Sequence, residues 1–214
     1  MNKISTTTID GYILTGGASS RMGRDKATIL IDGLTMVDRI ATNLRQAVRQ
    51  VYTVGGVQVA GLESVPDWKA DASGVEQTVK SALTGLVTAL RRARTEWIFV
   101  VACDMPFVTT ELFQLLATAA GQGKSAIVPT DIDGRLQPTC SLYRVEDCLA
   151  KAEAALAKER HSLRKLLAEI EVQVVPFETL VGLSGSARLF VNINTPEDLA
   201  GAEQLMLVPN SKRP

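Results

Sequence analysis

WIFVVAC, Trp97 to Cys103, followed at once by Asp104, is the stretch from which the fold can be read. It is continuously apolar, rich in β-branched and aromatic residues, and closed by Glu96 before it and Asp104 after it. A half-buried strand would alternate apolar with polar residues. An unbroken run of this length predicts a strand covered on both faces, as in the centre of a parallel sheet. It is far too short to span a bilayer, which needs about 20 residues.

Working outward, GYILT (residues 11–15) is a second short apolar run, and it ends in Gly16-Gly17, as a buried strand entering a loop does. Met36, Val37, Ile40, Ala41, Leu44, Ala47 and Val48 recur at spacings of three and four, with Thr35 and Asp38 as a capping pair, so a helix is predicted there. Val51 to Val54 predicts another strand, stopped by Gly55-Gly56. Residues 60–75 read as a loop, and residues 76–93 as a helix through Val79, Leu83, Leu86, Val87 and Leu90. A helix from Thr110 follows. AIVPT (126–130) and PTCSLY (138–143) read as two extended segments around the turn at Asp133-Gly134. Helices over 145–156 and 162–168 and strands over 171–177 and 189–193 complete the pattern. Thr195, Pro196, Glu197 and Asp198 then mark the start of a last helix. Strands alternating with helices predict a single α/β domain over residues 1–208, with a mostly parallel sheet covered on both faces, and a disordered tail over 209–214.

Composition narrows the function. Of 214 residues 46% are hydrophobic, enough for a core, and Lys+Arg 23 exactly offset Asp+Glu 23. A general electrostatic grip on nucleic acid needs a basic surplus, so that class is excluded. The N-terminal stretch lacks the apolar segment of a signal peptide, and no membrane span fits. Three cysteines, Cys103, Cys140 and Cys148, form no disulfide framework and no CxxC pair, and the single histidine is His161. A cytoplasmic protein is expected. Cys103 reads as core, and His161, within KERHSLRK, as part of a solvated helix start.

In such folds ligands bind beyond the carboxyl ends of the strands. The first strand ends in LTGGASSRMGRDK, Leu14 to Lys26. Gly16 and Gly17 let backbone N–H groups approach an anion, Ser19 and Ser20 add hydroxyls, and Arg21, Arg24 and Lys26 supply three cations. Neither GxxxxGK[ST] nor GxGxxG is present. The plainer reading is a basic loop with two turn glycines. Asp104, at the end of the central strand, is placed to hold Mg²⁺ opposite such a loop, or simply to close the loop before Pro106. Asn192 and Asn194 bracket Ile193, and in a strand both amides would point to one face; turn and cap chemistry is the alternative.

LTGGASSRMGRDK, VACDMPF and VNINTPEDL, in this order and at these spacings, resemble the molybdenum cofactor guanylyltransferases, and the likeness runs over residues 12–206. The resemblance implies a Rossmann-like three-layer α/β/α fold and transfer of GMP from GTP to molybdopterin, with Mg²⁺ as cofactor and release of pyrophosphate. It places Leu14, Thr15 and Gly16 along the nucleotide, Gly17, Ser19, Ser20 and Arg21 around its phosphates, and Lys26 in contact with them. It makes Asp104 the metal ligand, Asn192 and Asn194 site-lining residues, and Asp67 the guanine contact. Hand-over of molybdopterin from another biosynthetic protein is part of the same picture. Two departures stand out. Ser81-Ala82-Leu83-Thr84-Gly85 replaces the family's Gly-Pro-Leu-x-Gly, and Val54 stands where a nucleoside-binding asparagine is usual. Three alternatives remain: a cytidylyltransferase using CTP, whose group carries Ala at the position of Gly16; an enzyme for a sugar phosphate; and a nucleotide-binding module without turnover.

Overall fold

Residues 9–16, 28–55, 58–68, 80–121 and 123–207 are described by the computed structural model. Its centre is the pairing of β1 (Ile9–Leu14) with β6 (Trp97–Ala102), parallel and in register from Ile9 opposite Trp97 to Leu14 opposite Ala102. On one side of this pair lie β4 (Gln50–Val54) and, at the edge, β5 (Glu63–Val65), both parallel to it. On the other side lie β8 (Cys140–Arg144), β7 (Ala126–Pro129) and β9 (Val172–Val175). The order is β5-β4-β1-β6-β8-β7-β9, and β8 alone runs against the rest.

The continuous apolar runs behave as expected for strands buried on both faces. Phe99 and Val101 point into one core, with α1 (Met36–Leu44) and α3 (Thr110–Ala119), while Ile98 and Val100 point into the other. That second core is closed by α2 (Ala82–Arg92), α4 (Val145–Ala157) and α5 (Leu163–Leu167). The fold is thus a Rossmann-like three-layer α/β/α arrangement with a mostly parallel sheet. Because α1 leads to one neighbour of β1 and α2 to the other, across opposite faces, a crevice opens beyond the ends of β1 and β6.

Caps form where the sequence places them. Thr35 Oγ1 accepts from Asp38 N at 3.0 Å ahead of α1. Asp198 and Thr195 exchange contacts ahead of α6 (Pro196–Leu207), Asp198 N donating to Thr195 Oγ1 at 3.1 Å.

Several expectations are corrected. The first strand begins at Ile9, because the buried Asp10 carboxylate is paired by Arg49, whose Nε and Nη2 donate to it at 3.0 and 2.9 Å. The loop read over 60–75 contains β5, a three-residue edge strand held by backbone pairing rather than by an apolar pattern. Of the helix read over 76–93, residues 76–79 lie outside the described residues, and the described part starts at Ala82, where the Ser81 hydroxyl accepts from Thr84 N. Residues 189–193 form no strand. Leu189 and Ile193 are fully buried, but as anchors of a loop that follows a 3₁₀ turn at Ser186–Arg188. A small hairpin of β2 (Leu30–Ile31) and β3 (Leu34–Thr35) was not anticipated; Asp32 and Gly33 turn it at positive φ, the Asp-Gly signature of a tight turn. The tail from 209 lies outside the described residues. Among those described, no helix is long and apolar enough to cross a membrane.

Cys103, Cys140 and Cys148 are all buried and none is in a disulfide. Burial pushes Cys140 from an ordinary 9.0 up to about 12. It does the same to Cys148, also to about 12, with the Asp147 carboxylate adding to the effect. The unfolded chain therefore releases these protons at lower pH than the folded chain. Their contribution is intact below the unfolded value and is lost as pH rises from about 9 towards 12. The melting temperature is expected to hold between about pH 7 and 8 and to fall above about pH 9, less steeply in Cys140→Ala. Thermal scans at stepped pH check this; equal alkaline slopes in the two proteins would refute the assignment to Cys140.

Candidate functional site

The crevice is built from main-chain bonds that continue the sheet past its strand ends. Thr15 gives both its backbone N–H and its hydroxyl to the Val54 carbonyl, at 2.7 and 2.8 Å. Cys103 N donates to Leu14 O at 3.0 Å, and Ala102 N to Thr139 O at 2.8 Å. The starts of the loops after β1 and β6 and the end of the loop before β8 are thereby fixed side by side.

Gly55, at φ +111°, lies against Gly16 backbone to backbone. A Cβ at Gly55 would sit 2.4 Å from Gly16 N and 2.7 Å from Gly16 Cα. Here the absence of a side chain is a steric requirement, because the neighbour is main chain that cannot rotate away. A Cβ on Gly16 itself would meet Gly55 Cα at 3.4 Å and an Asp67 carboxylate oxygen at 3.6 Å, which are ordinary contacts. Asp67 thus borders the start of the loop after β1. Its segment is tied down by Trp68, whose N–H donates to Thr88 Oγ1 at 2.8 Å and whose ring carries the Arg91 guanidinium at 4.1 Å. Leu14, Gly16, Val54, Asp67, Lys80 and Gly85 enclose a small recess. Gly85 opens it, since a Cβ there would strike Leu14 Cδ2 at 2.9 Å.

Beside this recess lies a cavity of about 580 Å³ lined by Leu14, Thr15, Gly16, Asp104, Asn192 and Asn194, among others. Asp104 follows β6 and is half-buried; its backbone carbonyl accepts from Ile193 N at 2.9 Å. That one bond brings the loop with both asparagines to the aspartate. The amides reach the cavity without a strand because the loop is held at Ile193 and again at Asp198. The Asp198 carboxylate accepts from Asn194 N and Thr195 N at 2.8 and 2.9 Å.

Of the expected site residues, Leu14, Thr15, Gly16, Asp104, Asn192 and Asn194 meet in the cavity, and Asp67 lies in the adjoining recess. Gly17, Ser19, Ser20, Arg21 and Lys26 lie outside the described residues. Cys103 is core and lines the cavity, and His161 is half-buried ahead of α5 and does not line it. No cluster of three or more metal-binding side chains occurs among the described residues. A hard divalent cation that keeps phosphate and water ligands needs only one or two protein carboxylates, and Asp104 fits that demand.

Sequence reasoning missed the opposite wall, which Asp131, Arg135, Gln137 and Arg164 contribute. Asp133-Gly134 was read as a turn, but the charges around it were not read as facing a site. Asp131 organises that turn. Its Oδ1 accepts from Asp133 N at 3.0 Å and Arg135 N at 2.9 Å, and its Oδ2 from Gln137 Nε2 at 2.9 Å.

Residues 11–174 match the MobA-like NTP transferase domain. A Bacillus cereus protein named "Probable molybdenum cofactor guanylyltransferase" is 29% identical over 206 residues, 91% of this chain and 95% of that one. Among solved structures, molybdopterin-guanine dinucleotide biosynthesis protein A from Archaeoglobus fulgidus superposes with a TM-score of 0.77 at 22% identity, covering 92% of this chain and 98% of that one. The 2-C-methyl-D-erythritol 4-phosphate cytidylyltransferase from Thermus thermophilus gives 0.65 at 19% identity, over 96% and 100%. At these identities the two superpositions establish the fold.

Gly55→Ala is expected to push Gly16 out of place and to weaken nucleoside triphosphate binding by at least about tenfold in a fluorescence titration, while circular dichroism stays native. Unchanged affinity would mean that the Gly16–Gly55 contact does not position the site.

Proposed function

The chain belongs to the MobA-like NTP transferase domain family, and on that premise we propose that it transfers GMP from GTP to the phosphate of molybdopterin, releasing pyrophosphate. The observation that carries the choice of base is the Asp67 carboxylate beside Gly16, in a recess that opens next to Asp104. A carboxylate accepts two parallel hydrogen bonds, and guanine presents two parallel donors, N1–H and N2–H. Cytosine offers only its amino donor on the corresponding edge. The name of the Bacillus cereus relative supports the same reading.

In this reading the nucleophile is a phosphate monoester, already deprotonated near neutral pH, so the protein needs no general base. The work left to it is alignment and charge neutralisation. Backbone from Gly16 onward, with Ser19, Ser20 and Arg21, cradles the triphosphate, and Lys26 bears on its phosphates. Asp104 would hold Mg²⁺, which when bound supplies charge neutralisation at the α-phosphate and the leaving pyrophosphate. Asn192 and Asn194, fixed to Asp104 through Ile193, orient groups around that centre. Three cysteines without a disulfide support a reducing compartment, the cytoplasm.

One observation favours a second reading. The space at Gly16 admits a methyl group, so the geometry also suits the Ala-containing start of the cytidylyltransferases. Nucleotide binding separates the two. With Mg²⁺ present, GTP is expected to bind in preference to CTP, ATP and UTP, whereas preference for CTP would move the product to the cytosine dinucleotide. Asp104→Ala and Lys26→Ala are each expected to lose about 10²-fold or more in turnover while remaining folded. Wild-type rates in either variant would remove that residue from the mechanism.

A further inference from the structure

The crevice is asymmetric in charge. On the β4–β5 side it offers Asp67 to the base; on the β8–β7 side Arg135, and from α5 Arg164, line the same cavity as Asp104. A nucleotide seated on Gly16 and Asp67 lies on the opposite side of β1 and β6 from them. Taking the proposed transfer as given, we propose that Arg135 and Arg164 bind the phosphate monoester of the acceptor, and that Asp131 is the positioning residue for Arg135.

Three features carry this. First, the two arginines of this wall are more available to a ligand than its carboxylate is. The carboxylate of Asp131 lines it, but both its oxygens are engaged by Asp133 N, Arg135 N and Gln137 Nε2. Arg164 makes no ion pair among the described residues, and Arg135 has one, Nη1 to Asp133 Oδ2 at 2.7 Å, with its side chain 64% exposed. Such an exposed pair is weak and leaves the rest of the guanidinium fork available. Second, two guanidinium groups match the charge of a phosphate dianion, and their planar donors suit its oxygens. Third, in-line displacement requires the entering phosphate to approach the α-phosphorus from the side away from the leaving pyrophosphate. With the base at Asp67, the β8–β7 wall lies across β1 and β6 from the nucleoside, beside Asp104.

Asp131 acts through Arg135. Backbone bonds from Asp131 N to Arg135 O at 3.0 Å and from Gly134 N to Asp131 O at 2.9 Å close the turn, and the carboxylate ties it internally. Removing the carboxylate frees the turn and scatters the guanidinium, without touching Arg164.

The test uses pterin-6-ylmethyl phosphate and its alcohol, 6-hydroxymethylpterin, as fluorescent probes, with the full chain saturated by Mg²⁺ and the α,β-methylene analogue of GTP. The analogue's own affinity is measured first, and its failure to bind would count against the proposed function and not against this subsite. The wild-type protein is expected to bind the phosphate at least about tenfold more tightly than the alcohol. In Arg135→Ala/Arg164→Ala that advantage is expected to vanish while analogue affinity stays within about twofold, and Arg164→Lys is expected to restore it only partly. Asp131→Ala is expected to remove no more than Arg135→Ala does, and Asp131→Ala/Arg135→Ala no more than Arg135→Ala alone. Equal binding, or no binding, of the two probes by the wild type would overturn the proposal. So would an advantage retained in the double arginine variant, or a loss that falls instead on the GTP analogue.

Discussion

The parallel pairing of β1 with β6, continued one residue past the strands by the bond from Cys103 N to Leu14 O, is the constraint on which the site rests. Both strands are buried on both faces, so neither can slide without exposing one core or the other. Their register is therefore fixed by the hydrophobic interior. The interior in turn fixes how far apart Thr15 and Asp104 emerge. A chemistry that consists of aligning phosphates and offsetting their charge depends on that separation, and the protein sets it with the apolar interior behind the site.

The central elements were legible in the sequence because burial on two faces leaves an unmistakable trace. Trp97 to Cys103 and residues 11–15 are continuous apolar runs, and Thr35 with Asp38 is a cap in both sequence and structure. What escaped notice was held by main chain or by a single polar pair. β5 has no apolar pattern because it needs none at a sheet edge. Asp10 concealed the first turn of β1, since a carboxylate in a strand looks like a boundary until Arg49 is seen beside it. Leu189 and Ile193 failed in the opposite sense: burial without a ladder produces the same residues as a strand.

The site divides along the same line. Asp104 was readable because it follows a buried strand, and Asn192 and Asn194 because they bracket the apolar Ile193 just ahead of a marked helix start. The asparagines face the cavity for a reason different from the one expected, as a loop pinned at Ile193 and Asp198 rather than as alternating strand positions. Asp131, Arg135 and Arg164 stand in charged segments whose composition matches any solvated surface. Only the antiparallel return through β8 folds the first two over the crevice, and α5 brings the third to it. Such a wall is a product of topology, and single-sequence patterns do not carry it.

The contact between Gly55 and Gly16 has a consequence for how this protein can change. Most packing contacts are negotiable, because a larger residue on one side can be offset by a smaller one opposite. Here both partners are already glycine, and the atoms that collide belong to the main chain. Position 55 therefore has no suppressor at position 16, and a substitution there must be rescued from outside the pair or not at all. Position 16 is not bound in the same way, since it tolerates a methyl group. Any drift of this site towards a different base is thus channelled: residue 16 and the side chains around the recess are free to explore, while Gly55 stays fixed as the floor on which they do so.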